Sequence, residues 1–105
     1  TTDIADAAFE QALIDLNFDE ELDGKVLNSR IQIITNLILD DKGISDLTGI
    51  ANFRDLENLN VRNNNLENID VSDNKKLKFL WCEDNRVNAL DLDGLTILEK
   101  VSRSK

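Results

Sequence analysis

The chain has 105 residues, enough for one small domain with a modest core, and 41% of them are apolar, an ordinary share for a globular protein. Twelve bases against 21 acids leave a net charge of −9, which argues against nucleic acid and anionic membrane surfaces as partners, since both demand clustered bases. The absence of His and the single Cys, Cys82, exclude an internal disulfide, a Ser or Cys nucleophile served by a His base, and His metal ligands.

The charge is lopsided: residues 1–50 carry 11 acids and 3 bases, residues 51–105 carry 10 acids and 9 bases. No apolar run is long enough to span a bilayer, and no basic start followed by an apolar stretch marks a signal peptide.

Residues 3–17 read as a helix. Asp3 stands as N-cap with Asp6 in the capping-box place. Ile4, Ala5, Ala8, Phe9, Ala12, Leu13 and Leu16 recur at helical spacing on one face, and Asp6, Glu10, Gln11 and Asp15 form the polar face. An acidic connection follows over residues 17–25. Asp19, Glu21, Asp23 and Gly24 occupy positions one, three, five and six of a calcium-loop pattern, yet Arg30 stands at position twelve, where a bidentate carboxylate belongs. A solvated acidic turn closed by Gly24 is the other reading. Residues 26–35 read as a short helical turn with Asn28 as N-cap, followed by a strand over residues 36–40. Residues 1–33 are thus expected to form an N-terminal helical cap with an acidic turn, shielding an otherwise open first coil.

Residues 34–105 repeat one pattern three times and begin a fourth. The cores Leu37-Ile38-Leu39, Leu59-Asn60-Val61, Leu80-Trp81-Cys82 and Val101-Ser102-Arg103 are spaced by 22, 21 and 21 residues. Ile34, Leu56, Leu77 and Leu98 precede them by three. Lys42, Asn64 and Asn85 follow, then Ile44, Leu66 and Val87, then Leu47, Ile69 and Leu90. A period in the twenties with this internal spacing predicts a solenoid. In each Leu-x-Leu core the outer two side chains point one way and the middle one the other, so each repeat is a short strand with a buried face. The Asn sits where the chain leaves the strand, and its buried amide can satisfy backbone groups of adjacent turns. A period of 21 also equals three heptads, but Asn63-Asn64-Asn65, Asp73-Asn74 and Asp93-Gly94 are turn formers that oppose a helical reading. The spacing by threes of Leu47, Ile50, Phe53 and Leu56 predicts a 3₁₀ or short helical turn. Ile69-Asp70-Val71 and Leu90-Asp91-Leu92 predict second extended pieces. Cys82 takes an inward position as a small apolar residue.

The stretch Leu56 to Leu66 matches Leu-x-x-Leu-x-Leu-x-x-Asn-x-Leu. Residues 77–87 match it with Cys82 and Val87 substituted, and residues 34–44 with Lys42 in place of Asn. In these motifs the chain resembles the leucine-rich repeat family, most nearly the short-repeat bacterial, internalin-like forms of secreted and surface proteins. Ile69-Asp70-Val71-Ser72-Asp73-Asn74 looks like their outer segment, and Ala8-Phe9-Glu10-Gln11-Ala12-Leu13 like their cap helix. The resemblance implies an α/β solenoid with short parallel strands on a concave face, an N-terminal helical cap, an extracellular or cell-surface setting, and a protein ligand held on the concave face for recognition or adhesion. It implies neither catalysis nor a cofactor, and fold likeness alone names no ligand.

On this register the outward positions form rows. Asn36, Asn58, Phe79 and Lys100 make the first; Ile38, Asn60, Trp81 and Ser102 the second; Asp40, Arg62, Glu83 and Ser104 the third. The expected partner-binding residues are Ile38, Asp40, Asn60, Arg62, Phe79, Trp81 and Glu83, with Trp81 and Phe79 as aromatic anchors. Two other readings of Trp81 stand: it folds down on its strand neighbours, or it packs against further protein, including a second copy. Asp70 and Asp91 recur by repetition, not as an acid–base pair, and no glycine-rich phosphate loop is present, so no enzyme is expected. The alternative function is a structural spacer or a self-associating segment of a larger surface protein, joined through an uncapped C-terminal end.

Overall fold

The computed structural model describes residues 1–103. Parallel strands stack into a solenoid-like coil, as the repeat spacing predicts. Four of them, β3 (Asn36–Ile38), β4 (Asn58–Asn60), β6 (Phe79–Trp81) and β8 (Lys100–Ser102), form one sheet in that order. Leu37, Leu59, Leu80 and Val101 lie in register across it. On the other side of the coil β5 (Asn68–Asp70) pairs in parallel with β7 (Ala89–Asp91). These are the expected second extended pieces, shifted one residue towards the N-terminus. A 3₁₀ turn, Ile50–Asn52, fills the same side in the first coil, where the threefold spacing of apolar residues placed it.

The interior is the set of side chains the pattern pointed inward. Leu37, Leu39, Leu59, Val61, Leu80 and Cys82 are buried from the main sheet, and Ile44, Leu66, Ile69, Val71 and Leu77 close the coil from the other side. Burial pushes the Cys82 thiol above its ordinary pKa, so it behaves as a core atom.

The turn leaving each strand is built from polar residues. Asp41, Asn63 and Asp84 each take positive φ, at 58°, 55° and 59°. Asn and Asp tolerate this left-handed conformation better than other side chains. Asn64 then enters the interior. Its Oδ1 accepts from the amides of Lys42 and Ile44, both at 3.0 Å. Its Nδ2 faces the carbonyls of Leu39 and Val61 at 2.9 Å and of Arg62 at 3.1 Å. Asn85 repeats the device one turn later, accepting from Leu66 and facing the carbonyls of Val61, Cys82 and Glu83. Lys42, which replaces Asn in the first repeat, supplies its backbone to Asn64 and leaves its side chain in solvent. Asn74, buried on the other side, donates to the carbonyls of Ile50 and Phe53 at 2.9 and 3.1 Å.

The N-terminal segment departs from the expected boundaries. The helical content is smaller than an α/β label implies: α1 (Ala7–Asp15) has nine residues and α2 (Asn28–Ile31) four. Thr2–Asp3, here β1, pairs antiparallel with β2 (Lys25–Val26), which takes Asp3 out of the N-cap role and leaves it to Asp6. One oxygen of Asp6 accepts from the amides of Ala8 and Phe9, and the other from those of Ser45 and Asp46, at 2.7 and 3.0 Å. A single carboxylate thus caps α1 and ties it to the first coil. Phe9 continues the join by stacking on Phe53, with ring centroids 6.0 Å apart. Helix α1 stops early because Asn17 turns left-handed at φ 67°. Asn28 begins α2 rather than capping it: Leu27 holds the N-cap position without a side-chain bond, and Asn28 Oδ1 accepts instead from the Thr2 hydroxyl. Strand β3 ends at Ile38, short of the expected residue 40, although the amides of Leu39 and Asp41 still donate to Asn60 and Arg62.

Gly49 holds φ at 108°, and a Cβ there would meet the Asp3 carbonyl oxygen at 2.7 Å, so this turn closes on β1 only without a side chain. Among the described residues no helix is long and apolar enough to cross a membrane.

Two predictions follow from these joints. Asn64→Ala strands buried amides and carbonyls of two turns and is expected to lower stability by about 3 kcal/mol. Asn85→Ala, in a half-buried site, should cost less; urea unfolding of both variants measures the difference. Asp6→Ala should cost more than the ~1 kcal/mol of an ordinary cap, since two further amides lose their acceptor. Asp6→Asn, which keeps one oxygen, should fall between Asp6→Ala and the parent in the same assay.

Candidate partner-binding face

Of the seven residues expected to meet a partner, Ile38, Asn60, Phe79 and Trp81 lie on β3, β4 and β6, and the other three follow the strand ends. Ile38 is the exposed apolar residue at the β3 edge, at 38% of its free surface. Asn60, Phe79 and Trp81 are half-buried along the strands, and Asp40, Arg62 and Glu83 are half-buried just beyond the strand ends. Ser104, which would complete the third row, lies outside the described residues.

Trp81 lies down against its neighbours. Its indole N–H donates to Asn58 Oδ1 at 2.7 Å, and Asn58 Nδ2 donates to Asn36 Oδ1 at 2.6 Å, a polar relay across three strands. The Arg62 guanidinium on β4's side sits 4.8 Å from the ring centroid, and the Lys100 ammonium on β8 sits 4.9 Å from it. Two cations from flanking strands thus hold one aromatic ring through its π-face charge. This is the fold-down arrangement, and it leaves Trp81 on the face, outside the coil interior.

Arg62 has a second role. Its Nε donates to Glu83 Oε1 at 3.0 Å. Arg62, with Ser102 adding a second hydrogen bond, holds the Glu83 carboxyl down to a pKa of about 2. Asn60 Oδ1 meanwhile accepts from the Arg62 amide and shapes the turn out of β4. Lys100, Asn58 and Asn36 were legible as outward positions, but only side-chain geometry joins them to Trp81. Their shared rows were the available signal.

The acidic connection is arranged differently from the calcium-loop reading. Asp19 and Asp23 converge with Glu10, their carboxylate oxygens within 4.8 Å of one another, while Glu21 stands outside the group. Glu10, expected on the polar face of α1, is only 1% exposed. Its two oxygens accept from the amides of Asp23 and Gly24 at 3.1 and 2.8 Å, because the acidic loop folds back over the helix and needs acceptors there. Burial raises the Glu10 pKa, opposed by the Gly24 amide and reinforced by nearby Asp19. Arg30 turns away from the three carboxylates. It bonds to Glu20 at 3.2 Å and to the Asn17 carbonyl.

No known protein-family model matches the chain, and no curated protein matches it.

The Glu83 pair gives a pH prediction. A carboxyl whose folded pKa lies below its unfolded value of 4.5 adds stability above that value and loses it as pH falls through about 2. NMR titration of Glu83 should show a midpoint near 2. In Arg62→Ala that midpoint should move back towards the ordinary carboxylate range, and the acid limb of the stability curve should shift with it.

Proposed function

We propose that the chain is a leucine-rich repeat segment with a helical N-terminal cap, and that it binds another protein through the outward face of its four-stranded sheet. The observation that carries this reading is Trp81, a large aromatic held by Asn58, Arg62 and Lys100 on a face it shares with Phe79 and Ile38. A half-buried, pre-positioned aromatic beside an Arg is the usual composition of an interface anchor, and a restrained ring loses little conformational freedom on binding. The match of residues 34–44, 56–66 and 77–87 to the repeat motif supports the family reading. The tie between Asp6 and the first coil supports the cap. An extracellular or cell-surface setting and an adhesive role come with the resemblance and belong to the same proposal.

A structural spacer or self-associating segment is the second reading. Leu90, Leu92, Leu98 and Val101 are only partly buried, whereas Ile69, Val71, Leu77 and Leu80, one turn earlier, are buried. That apolar end is suited to stacking on another turn of coil.

The two readings give different outcomes. On the first, Trp81→Ala should reduce capture of a protein partner about tenfold or more while leaving the unfolding midpoint nearly unchanged, and Asn88→Ala on the opposite side should not. Equal capture by the parent and Trp81→Ala would rule out the sheet face. On the second, sedimentation should show mass rising with concentration in the absence of any partner.

A further inference from the structure

A second surface, remote from Trp81 in sequence and built from the link between α1 and β3, has its own character. Among the described residues six large apolar side chains are exposed, and four of them, Leu16, Leu22, Leu27 and Ile33, fall within residues 16–33, with Ile33 at 73%. A groove of about 430 Å³ opens there, its apolar wall formed by Phe18, Ile33 and Ile34. Beside it is a hollow of about 260 Å³ lined by Asp19, Glu20, Glu21 and Asp23. Arg30 belongs to the rim of both.

The charge of this surface is poorly neutralised from within. Arg30 is committed to Glu20 and the Asn17 carbonyl. Lys25, the other base on the hollow's rim, reaches Asp3 at 3.7 Å. Asp19 Oδ1 accepts from the Glu20 amide, but its Oδ2 is buried and accepts no hydrogen bond. Asp19 also belongs to the group formed with Glu10 and Asp23, where carboxylates crowd one another. Of the four carboxylates lining the hollow, Glu20 is paired with Arg30, and a cationic group entering the hollow would meet complementary charge from the others. Most of the chain's negative charge also resides in residues 1–50, so the long-range field favours a cationic visitor on this half.

We propose that this surface docks a cationic amphipathic segment of a partner protein, with a bulky apolar side chain in the Phe18–Ile33–Ile34 groove and a Lys or Arg in the acidic hollow. Both parts are needed. A bare cation would fill the hollow and leave the groove open, and a purely apolar segment would leave the acidic hollow uncompensated. The groove adjoins the sheet face at Asn36, and the docking proposed here does not require a partner at Trp81.

The test uses a synthetic amphipathic helix of Lys and Leu and its Glu and Leu counterpart, titrated into the isotopically labelled chain and followed by NMR. The Lys peptide should perturb residues 16–36, with binding that weakens as salt rises, and the Glu peptide should not bind. Ile33→Ser, a change to a solvent-exposed side chain that leaves the core intact, should weaken the Lys peptide about tenfold. So should Asp19→Asn with Asp23→Asn. Unchanged affinity in either variant, or perturbation centred on Trp81, would overturn the proposal. Calcium chloride is the remaining arm. Saturable shifts at Asp19 and Asp23 that displace the peptide would make the hollow a metal site instead and likewise overturn it.

Discussion

The buried amide of Asn64 is the interaction on which the coil depends. A chain that leaves a strand and bends beneath its own sheet exposes backbone amides and carbonyls to a dry interior, where each unpaired group is costly. Asn64 presents acceptor and donor from one side chain and satisfies groups of its own turn and of the preceding one. Asn85 does the same for the next pair of turns. On the far side Asn74 contributes its donor alone, to the carbonyls of Ile50 and Phe53, while its Oδ1 is buried without a partner. With the corners paired, the Leu-x-Leu strands are free to stack in register and bury one continuous core. Each turn contacts only its neighbours, so stability is shared along the coil instead of residing at one centre.

A coil held from within leaves its outer sheet face free of structural duty. On that face the polar groups still find one another: Trp81 with Asn58, Asn58 with Asn36, Arg62 with Glu83. Partly exposed ion pairs of this kind add only modestly to stability. Their physical effect is order, since they fix the ring and the guanidinium in one arrangement before any partner arrives. The proposed binding role draws on that order, because restraining side chains beforehand reduces the entropy lost on association.

The N-terminal segment solves its problem less completely. Asp6 joins α1 to the first coil with all four of its contacts satisfied. A few residues on, the loop after α1 folds over Glu10 and crowds three carboxylates, while Leu22 and Leu27 remain in solvent. The contrast between a well-satisfied joint and an unrelieved loop beside it makes the loop the candidate for an external partner.

Register and inward positions were readable from residue order because a strand alternates sides with a period of two and the turns recur every 21 or 22 residues. Leu59, Leu80 and Cys82 fall inward on that count alone, and Asn64 falls at the bend. The start of α1 was not readable. Asp3 and Asp6 are both adequate caps locally, and only the pairing of β1 with β2 removes Asp3 from the choice. Glu10 was misplaced for a similar reason. Helical periodicity describes which face a residue takes but not what folds over it, and the amides of Asp23 and Gly24 come from a loop 13 and 14 residues away. The sequence by itself determined the coil, its period and its inner side chains, because those follow from local alternation and repetition. Only the tertiary structure decided which cations hold Trp81, which carboxylates meet in the acidic loop and which residue caps the helix, because those contacts join segments whose separation no periodicity records.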